Sequence, residues 1–393
     1  MGELTDPERS ITYGVVKPGP EQEDGVLFVR GGDVLGGRIA IDVLRTITPS
    51  VSAEYKRTLL RGGELLVSLV GNPGEVAIAP ESLAGANIAR QVGLVALRSD
   101  VNARYVMYYL MSPMGRADLF TQTGGAVQQV INLADLKRVV VPLPSQLVQN
   151  RIADILSNYD DLIENNRRRM ALLEEAARQL YREWFVRLRF PGHEHTRITN
   201  GVPERWEKKR LCEVAEINKE SLSGSYDGEI EYIDISSVTP GVINETTRYD
   251  FKEAPSRARR VVRHGDIIWS CVRPNRRSYA VIWQPEPNLV ASTGFAVLTP
   301  TTVPTAFLLQ ATSTDAFVGY LENHARGAAY PAVVAGDFER AEVLVPTPVL
   351  LSMFNEQTEP LIGQANTLRL LNNRLRAARD LLLPRLMAGQ ITV

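Results

Sequence analysis

The segment with the most distinctive chemistry is rich in arginine. Residues 255–279 read PSRARRVVRHGDIIWSCVRPNRRSY, with seven arginines against a single acid, Asp266. Because the whole chain has a formal net charge of only −1, this is a local cationic patch in a neutral protein, and such a patch is one footprint of phosphate contact. A plainer explanation stays open. Only seven of the 44 Lys and Arg residues are lysine, so the chain favours arginine throughout.

Other stretches that could do chemistry are better explained as loops. Gly71-Asn-Pro-Gly74 is like the start of a phosphate loop, but no Lys-Ser/Thr follows it, and a hairpin turn is the better interpretation. His193-Glu-His195 could ligate a metal, yet it lies in a polar stretch without cysteines, so we predict a plain loop. The sequence has no GxxxxGK[ST] loop for ATP and no Asn/Asp-Pro-Pro-aromatic motif of an amino-methyltransferase. We therefore predict no catalytic residue and no metal site.

Composition narrows the class of protein further. A hydrophobic fraction of 44% and a charged fraction of 23% are those of a soluble globular protein. No apolar run approaches the roughly 18 residues of a membrane span, and Met1–Ser10 is polar and acidic, unlike a signal peptide. Cys212 and Cys271 are far apart, without zinc-like spacing, which favours a reduced, cytoplasmic setting.

The elements that carry these residues occur twice. Arg61-Gly-Gly-Glu-Leu-Leu66 returns 202 residues later as Arg263-His-Gly-Asp-Ile-Ile268, and Val139-Val-Val-Pro-Leu-Pro144 returns as Val343-Leu-Val-Pro-Thr-Pro348. A period of this length indicates a duplicated domain, because solenoid repeats are nearer 20–50 residues. Short apolar runs between turn residues predict a mainly β domain in each copy, with one helical region near residues 102–119 and its equivalent near 304–321.

A helical stretch of about forty residues follows each domain. In the first, apolar residues at alternating spacings of three and four, including Leu162 and Ala176, indicate a heptad seam. Asn166 interrupts it, either as a solvated break or as a polar register pin between two helices. Pro384 is expected to kink or end the second helix about one residue earlier. The residues predicted to pair the helices are Ile152, Tyr159, Asn166, Leu173 and Leu180, with Phe354, Leu361, Leu368, Leu375 and Leu382.

Three stretches carry a family resemblance. They are Pro144 through Phe185, read as P-x7-IADIL-x3-D-x4-N-x6-LLEEAARQLYREWF; Arg379 through Gly389, read as RDLLLPRLMAG; and Val202-Pro-Glu-Arg-Trp206 followed by Leu211-Cys-Glu-Val-Ala-Glu-Ile217. Together with the tandem arrangement, which covers almost the whole chain, they resemble the specificity subunit of type I restriction–modification systems.

The resemblance implies a fold and a division of labour. The expected fold class is α+β, with two mainly β target-recognition domains separated by two long antiparallel coiled-coil helices in a pseudo-twofold tandem repeat. The predicted parts are a first domain (1–143), a first helix (144–190), a linker (191–205), a second domain (206–347), and a second helix with a tail (348–393). Each domain would read half of a bipartite double-stranded DNA site, and the helices would set the spacer.

The same resemblance implies partners and cofactors. The subunit would be non-catalytic and would bind two methyltransferase subunits, which use S-adenosylmethionine to methylate adenine. Restriction subunits driven by ATP and Mg would complete the assembly. No cofactor is expected on this chain itself, and no membrane contact.

One departure from the family pattern concerns the first domain. It lacks the Trp and Leu-x-[DE]-[VI] opening that precedes the second domain at Trp206–Val214, and we place its start near Ile11-Thr-Tyr-Gly14. Because the family is pseudo-circular, Gln390-Ile-Thr-Val393 could pack where that opening would lie. An alternative initiation site would also explain the short start.

The DNA contacts are predicted from chemistry, since recognition loops vary. Arginine reads guanine best, Asn and Gln read adenine, and Arg, Lys and small polar groups hold the backbone. The polar loops at 121–129 and 324–330, the loop after a strand at 273–277, and a weaker counterpart in the first domain are therefore candidates. The predicted residues are Asn87, Arg90, Gln128 and Gln129 in the first domain, and Arg273, Asn275, Arg276, Arg277, Arg326 and Tyr330 in the second. For each of them a solvated surface role stays open.

Two other functional classes stay open. An enzyme acting on DNA itself would need a cofactor loop or a carboxylate cluster, and the sequence has none. A scaffold or decoy that binds methyltransferase partners without reading DNA is the second. A mimic of DNA should be strongly acidic, whereas the second domain carries the arginine-rich segment.

Overall fold

The computed structural model describes residues 1–121 and 130–393, and the chain divides into two compact units. Unit 1 comprises Met1–Asn165 and Asn372–Val393, and unit 2 comprises Asn166–Leu371. The division falls inside both long helices. It therefore does not follow the five predicted ranges, which stay predictions.

Unit 1 is built from short strands and short helices. Its described strands are β1 (Thr12–Tyr13), β2 (Val26–Val29), β3 (Val34–Leu35), β4 (Arg38–Ile39), β5 (Arg45–Ile47), β6 (Leu65–Ser68), β7 (Val76–Ile78), β8 (Asn87–Ile88) and β9 (Val92–Val95). Its described short helices are α1 (Pro49–Glu54), α2 (Ala103–Met111), α3 (Pro113–Thr121) and α4 (Leu133–Arg138). The sheets have the orders β1-β9-β6-β7, β5-β2-β8 and β3-β4, and β2 is parallel to β8.

The first long helix, α5 (Gln146–Tyr181), follows unit 1's domain and continues as a π-helical turn at Arg182–Val186. Unit 2's strands are β10 (Ile198–Thr199), β11 (Val202–Pro203), β12 (Glu207–Arg210), β13 (Ala215–Ile217), β14 (Glu229–Ile233), β15 (Val238–Thr239), β16 (Val242–Ile243), β17 (Thr247–Asp250), β18 (Ala258–Val261), β19 (Ile267–Ser270), β20 (Tyr279–Val281), β21 (Leu289–Ser292), β22 (Phe295–Pro300) and β23 (Glu342–Val345). Its short helices are α6 (Thr305–Ser313), α7 (Asp315–His324) and α8 (Ala335–Arg340), and the second long helix is α9 (Pro348–Met387).

The sheets confirm the internal repeat. Unit 2 has the orders β13-β22-β19-β20, β17-β14-β21-β18, β15-β16, β12-β23 and β10-β11. The first of these matches β1-β9-β6-β7, and β14 runs parallel to β21 as β2 runs parallel to β8. The two helical regions predicted inside the domains are also present, as α2 and α3 in one copy and α6 and α7 in the other.

The repeated R-x-G-[DE] motif is a carboxylate-closed turn before a buried strand. Glu64 is buried and accepts hydrogen bonds from the backbone N–H groups of Arg61 (2.7 Å) and Gly62 (2.9 Å). Asp266 likewise accepts from the N–H of Arg263 at 2.7 Å. The glycine before each carboxylate has a positive φ (Gly63, +85°; Gly265, +88°), which glycine adopts without the steric cost of a side chain.

The long helices are antiparallel within each unit. In unit 1, Arg379 pairs with Asp160, and the Asn372 side chain donates to the carbonyl of Ile163 at 3.1 Å, so numbers fall along α9 as they rise along α5. In unit 2, Arg369 pairs with Glu174 at 2.7 Å, and Phe354 lies against Phe185. Antiparallel pairing follows the expectation from the resemblance.

The seam between the helices departs from a strict heptad pattern. Leu162 and Ala176 are exposed, whereas their neighbours Ile163 and Ala177 are buried. An α-helix repeats every 3.6 residues, so a fixed 3.5 period drifts by about 20° per heptad. Of the ten residues predicted to pair the helices, Ile152, Asn166, Phe354 and Leu368 are buried, and Tyr159, Leu173, Leu180, Leu361, Leu375 and Leu382 are half-buried. The burial of Asn166 contradicts a solvated break, and the register pin stays a prediction.

Of the two outcomes predicted at Pro384, a kink or an end of α9, the end is wrong and the kink stays a prediction. The helix continues to Met387, and the N–H of Ala388 donates to the carbonyl of Pro384 at 3.0 Å. Proline costs one helical hydrogen bond, but Leu383, Leu386 and Met387 are all buried in the core of unit 1. Burial of these side chains offsets the lost bond.

The place of the opening motif in unit 1 is also corrected. Met1-Gly-Glu-Leu4 takes the position of Leu211-Cys-Glu-Val214, since each forms one 3-10 turn with buried first and last side chains. The N–H of Leu211 donates to the carbonyl of Ala341, and the amine of Met1 donates to the carbonyl of Val139, which lies 202 residues before Ala341. The first domain therefore has a Leu-x-[DE]-[VI]-like opening, and the placement of its start near Ile11 is wrong.

The chain's last residues pack onto the same region of unit 1. Ile391 and Val393 lie against the cluster that contains Val139 and Val141. In unit 2 the corresponding strand β23 pairs instead with β12, directly after Trp206. The tail therefore packs against the core of unit 1, whereas residues 1–4 take the place of Leu211–Val214, and the expected packing of the tail in place of the opening stays a prediction.

Candidate DNA interface

A hairpin in unit 2 carries four of the predicted DNA contacts. Its tip, residues 271–278, connects β19 to β20. At its root the buried Ser270 hydroxyl donates to the carbonyl of Val272 at 2.9 Å and accepts from the N–H of Val272 at 3.2 Å. In the tip, the N–H groups of Arg276 and Arg277 donate to the carbonyls of Arg273 and Pro274, both at 2.9 Å. The backbone of the tip is therefore fixed by its own hydrogen bonds.

Two arginines of this tip have a left-handed backbone. Arg273 has φ +51° and Arg277 has φ +53°. For a residue with a side chain this conformation costs about 1–2 kcal/mol. In the equivalent hairpin of unit 1 the left-handed positions are glycines, Gly71 (φ +95°) and Gly74 (φ +86°). Backbone strain of this kind clusters at functional sites, where the surrounding structure holds it in place.

The second predicted loop of unit 2 is joined to this hairpin. Arg326 and Ala332 exchange two backbone hydrogen bonds (2.8 and 2.9 Å), which closes the loop between them. The N–H of Arg273 donates to the carbonyl of Pro331 at 2.7 Å, and its guanidinium lies 4.4 Å from the centre of the Tyr330 ring. Residues predicted separately from two loops thus form one surface, which we call the joined-loop surface.

The charges on the joined-loop surface are mostly unneutralised. Arg277 pairs with Asp315, and this ion pair holds the pKa of the Asp315 carboxyl below its usual value. Asn275, Arg276 and Arg326 are exposed. Exposed guanidinium groups beside an aromatic ring suit both phosphate contact and base stacking.

Three of the other four arginines of the cationic segment have side-chain partners elsewhere in unit 2. Arg263 pairs with Glu220, and Arg260 donates to the Ser221 hydroxyl at 3.1 Å. The guanidinium of Arg259 lies 4.4 Å over the Phe251 ring. The predicted patch therefore divides into a sheet-bound half and the joined-loop half.

In unit 1 the predicted counterpart of the hairpin is wrong. Asn87 belongs to strand β8 and is fully buried, and its amide lies 3.5 Å from the Tyr55 carbonyl, so it lies away from any DNA-facing surface. Arg90 is exposed in the turn that follows. The structural counterpart is the tip at 69–75, between β6 and β7, where Gly71–Gly74 forms the hairpin turn expected from the sequence. Gln128 and Gln129 lie outside the described residues.

The hairpin of unit 1 carries an acid where that of unit 2 carries arginine. Glu75 accepts from the N–H of Gly36 at 2.7 Å and pairs with Arg116. The sequence predicted a hairpin turn at Gly71–Gly74 but not its equivalence to the hairpin of unit 2, although the offset of 202 residues, applied to Arg273, leads to Gly71.

Residues 1–121 and 130–393 contain no candidate metal site and no helix that could span a membrane. No group of three or more His, Cys, Asp or Glu side chains there could hold a metal ion. Likewise, no helix in the described part of the chain is long and apolar enough to cross a membrane.

The fold defines a class of tandem-repeat proteins with two β-rich units and paired long helices. Residues 10–175 match the model of the type I restriction modification DNA specificity domain. This chain is therefore similar to the specificity subunits of type I restriction–modification systems.

Two curated relatives and one solved structure show the extent of this similarity. The EcoBI specificity subunit of Escherichia coli is 31% identical over 168 residues, which are 42% of this chain and 35% of that subunit. The MjaIX specificity subunit of Methanocaldococcus jannaschii is 23% identical over 376 residues, 89% of this chain and 82% of its own length. Among solved structures, a type I S subunit from M. genitalium has a TM-score of 0.57 at 16% identity, covering 98% of this chain and 94% of that one, which shows the fold.

Proposed function

We propose that this chain is the DNA-reading subunit of a type I restriction–modification complex, with each unit reading one half of a bipartite site. The observation that carries the proposal is the joined-loop surface. Two separate loops there hold exposed arginines next to the stacked pair of Arg273 and Tyr330. Arginine bonds both guanine edges and phosphates, so such a surface suits duplex DNA.

The long helices would set the spacer and dock the partner subunits. About forty helical residues at 1.5 Å each span roughly 60 Å, which is a suitable scale for separating two half-sites. We propose two methyltransferase subunits as partners, which would bring S-adenosylmethionine, and restriction subunits that would bring ATP and Mg. This chain would bind no cofactor and would work in the cytoplasm.

Methylation mapping tests the reading function. The full chain is co-expressed with its cognate methyltransferase subunit, and host DNA is sequenced for N6-methyladenine. We expect a split motif with two short defined halves and a fixed undefined gap. A contiguous motif would mean that only one of the two units reads DNA. Loss of all methylation in an intact complex would favour the scaffold or decoy function instead.

A matched deletion tests the spacer function. Removing seven residues from α5 and the facing seven from α9 shortens both helices by roughly 10 Å, or about three base pairs at 3.4 Å each. We expect the gap in the methylated motif to shorten while both half-sites keep their sequences. Changed half-sites with an unchanged gap would refute the spacer role. Deletion from α5 alone is the control and should abolish assembly.

A further inference from the structure

The two hairpins share one frame, which makes their differences informative. In each, an antiparallel pair of strands, β6–β7 or β19–β20, leads into a short tip. The last residue of the first strand is a fully buried serine, Ser68 or Ser270, whose hydroxyl donates to the carbonyl two residues on, at 3.4 and 2.9 Å. The two hairpins are therefore built alike where they leave the sheet, and they differ in their tips.

The tips have opposite chemistry. Unit 1 has Gly71-Asn-Pro-Gly-Glu75, and unit 2 has Arg273-Pro-Asn-Arg-Arg277. The glycines offer no side chain to a base, and the Glu75 carboxylate is bound to Arg116 and to the N–H of Gly36. A carboxylate repels phosphate, so the unit 1 tip has no cation to hold it against the DNA backbone, and Asn72 is the one side chain between Gly71 and Gly74 that could bond a base edge.

The three arginines of the unit 2 tip have different duties. Arg273 is stacked on Tyr330 and also donates through Nη2 to the carbonyl of Ala329 at 3.2 Å. Arg277 is held by Asp315. Arg276 is exposed, and among the described residues its guanidinium has no hydrogen-bond or ion-pair partner. It therefore extends from a fixed backbone with its full donor fork available.

We propose that Arg276 reads a guanine in the half-site of unit 2, and that the unit 1 hairpin reads no base. A guanidinium fork matches the N7 and O6 acceptors of guanine in the major groove. Arg273 and Arg277, each held by a neighbour, position the tip against phosphates. This inference rests on the proposed DNA-reading function and adds the base, the residue and the unit that reads it.

Methylation mapping of Arg276→Ala tests the proposal. The variant is co-expressed as the full chain with its methyltransferase subunit. We expect one guanine, in one half-site only, to become degenerate, with discrimination against the other bases falling about 10- to 100-fold. The same motif at a lower methylation level would make Arg276 a phosphate contact and overturn the assignment. An unchanged motif would overturn it as well.

Three further variants keep the test decisive. Arg276→Lys keeps the charge but loses the fork, and should relax the same position partially even if the alanine variant assembles poorly. Arg248→Ala, at an exposed arginine on β17, should leave the motif unchanged. Asn72→Ala in the unit 1 tip should also leave both half-sites unchanged, and a change would refute the second part of the proposal. A wild-type complex without a split motif would refute the proposed function itself.

Discussion

The two units fasten the same pair of helices with different chemistry. In unit 1, Asp160 accepts from the Tyr108 hydroxyl at 2.7 Å and pairs with Arg379, and Arg38 donates to the Asp160 carbonyl at 2.7 Å. In unit 2, Phe185 lies between Phe354 and Phe307, with ring centres 5.0 and 5.2 Å away. One attachment is an ion pair network, and the other is an aromatic cluster.

The two units share the backbone arrangement of this attachment but not its side chains. One repeat from Asp160 lies Ile362, and one repeat before Arg379 lies Ala177, both buried. A buried ion pair and an apolar replacement can be close in net stability, since desolvation offsets much of the attraction between the charges. The backbone plan is thus common to both units, while the interior chemistry is free to differ.

The largest effect is expected from Phe354→Ala. Phe354 is fully buried in the aromatic cluster, so the cavity should lower the free energy of unfolding of unit 2 by about 3–5 kcal/mol. Tryptophan fluorescence during urea unfolding measures this, because Trp184, Trp206, Trp269 and Trp283 all belong to unit 2. Leu172→Ala, at a side chain that is 71% exposed, is the control and should change stability by no more than about 0.5 kcal/mol.

The rate of cysteine labelling is a second measure of the stability of unit 2. Burial raises the pKa of the Cys271 thiol to about 11, so at pH 8 it stays protonated and resists iodoacetamide, while the exposed Cys212 reacts. Phe354→Ala should speed Cys271 labelling about 100-fold, and Asp160→Asn should not. Because the folded pKa is the higher one, this thiol's contribution to unit 2 stability is present below pH 9 and is lost as pH rises through 11. Fast labelling of Cys271 in the native protein would contradict the raised pKa of this half-buried thiol.

Asp160→Asn is the matching change in unit 1. It removes one of the two charge partners of Arg379 and leaves only the exposed Asp380. It should lower the free energy of unfolding of unit 1 by about 2–3 kcal/mol, less than for a fully buried pair because both side chains keep some exposure (17% and 16%). Circular dichroism should show that unit 1 unfolds at a lower urea concentration than before. The urea transition followed by tryptophan fluorescence, which reports unit 2, should stay unchanged. Adding Arg379→Met to Asp160→Asn should restore part of the lost free energy of unfolding. Equal shifts of the circular dichroism and fluorescence transitions would refute the idea that each unit stabilises its part of the helix pair independently.

The smallest effect is expected at the exposed pair in unit 2. A double-mutant cycle on Glu174 and Arg369, each changed to Ala, should give a coupling free energy of about 0.5 kcal/mol, because Glu174 is 38% exposed and solvent screens the pair. The same cycle on Asp160 and Arg379 should give a clearly larger value. Equal couplings would show that burial does not distinguish the two ion pairs.

Sequence alone predicted the features that repeat locally. Turn residues and apolar runs indicated both β-rich units, and the repeated Arg-x-Gly-Glu/Asp turns and VP-x-P segments aligned them. The side of α5 that faces inward was less certain, since Leu162 and Ile163 are both apolar and only the packed neighbours decide which is buried. The same holds for Pro384, whose helix-breaking tendency is overridden by buried neighbours.

The candidate interface was predicted in part because loops have no periodicity. Arg273, Arg276 and Arg326 were found from residue chemistry, but their union into one surface depends on hydrogen bonds between segments over fifty residues apart in the chain. Asn87 was misplaced because its polar side chain lies in a strand that is buried. Polarity predicts exposure only on average, and a buried amide is not visible in sequence.

Unit 2 is one unbroken stretch of chain, whereas unit 1 is closed by both of its ends, with Leu386 and Met387 in the same core as Val106 and Ile152. A ribosome adds about 5–20 residues per second from the N-terminus. Unit 2 therefore has all of its residues once Leu371 has been added, whereas unit 1 is complete only when residues 372–393 have also been made. The half whose synthesis begins first is thus the half whose residues are completed last.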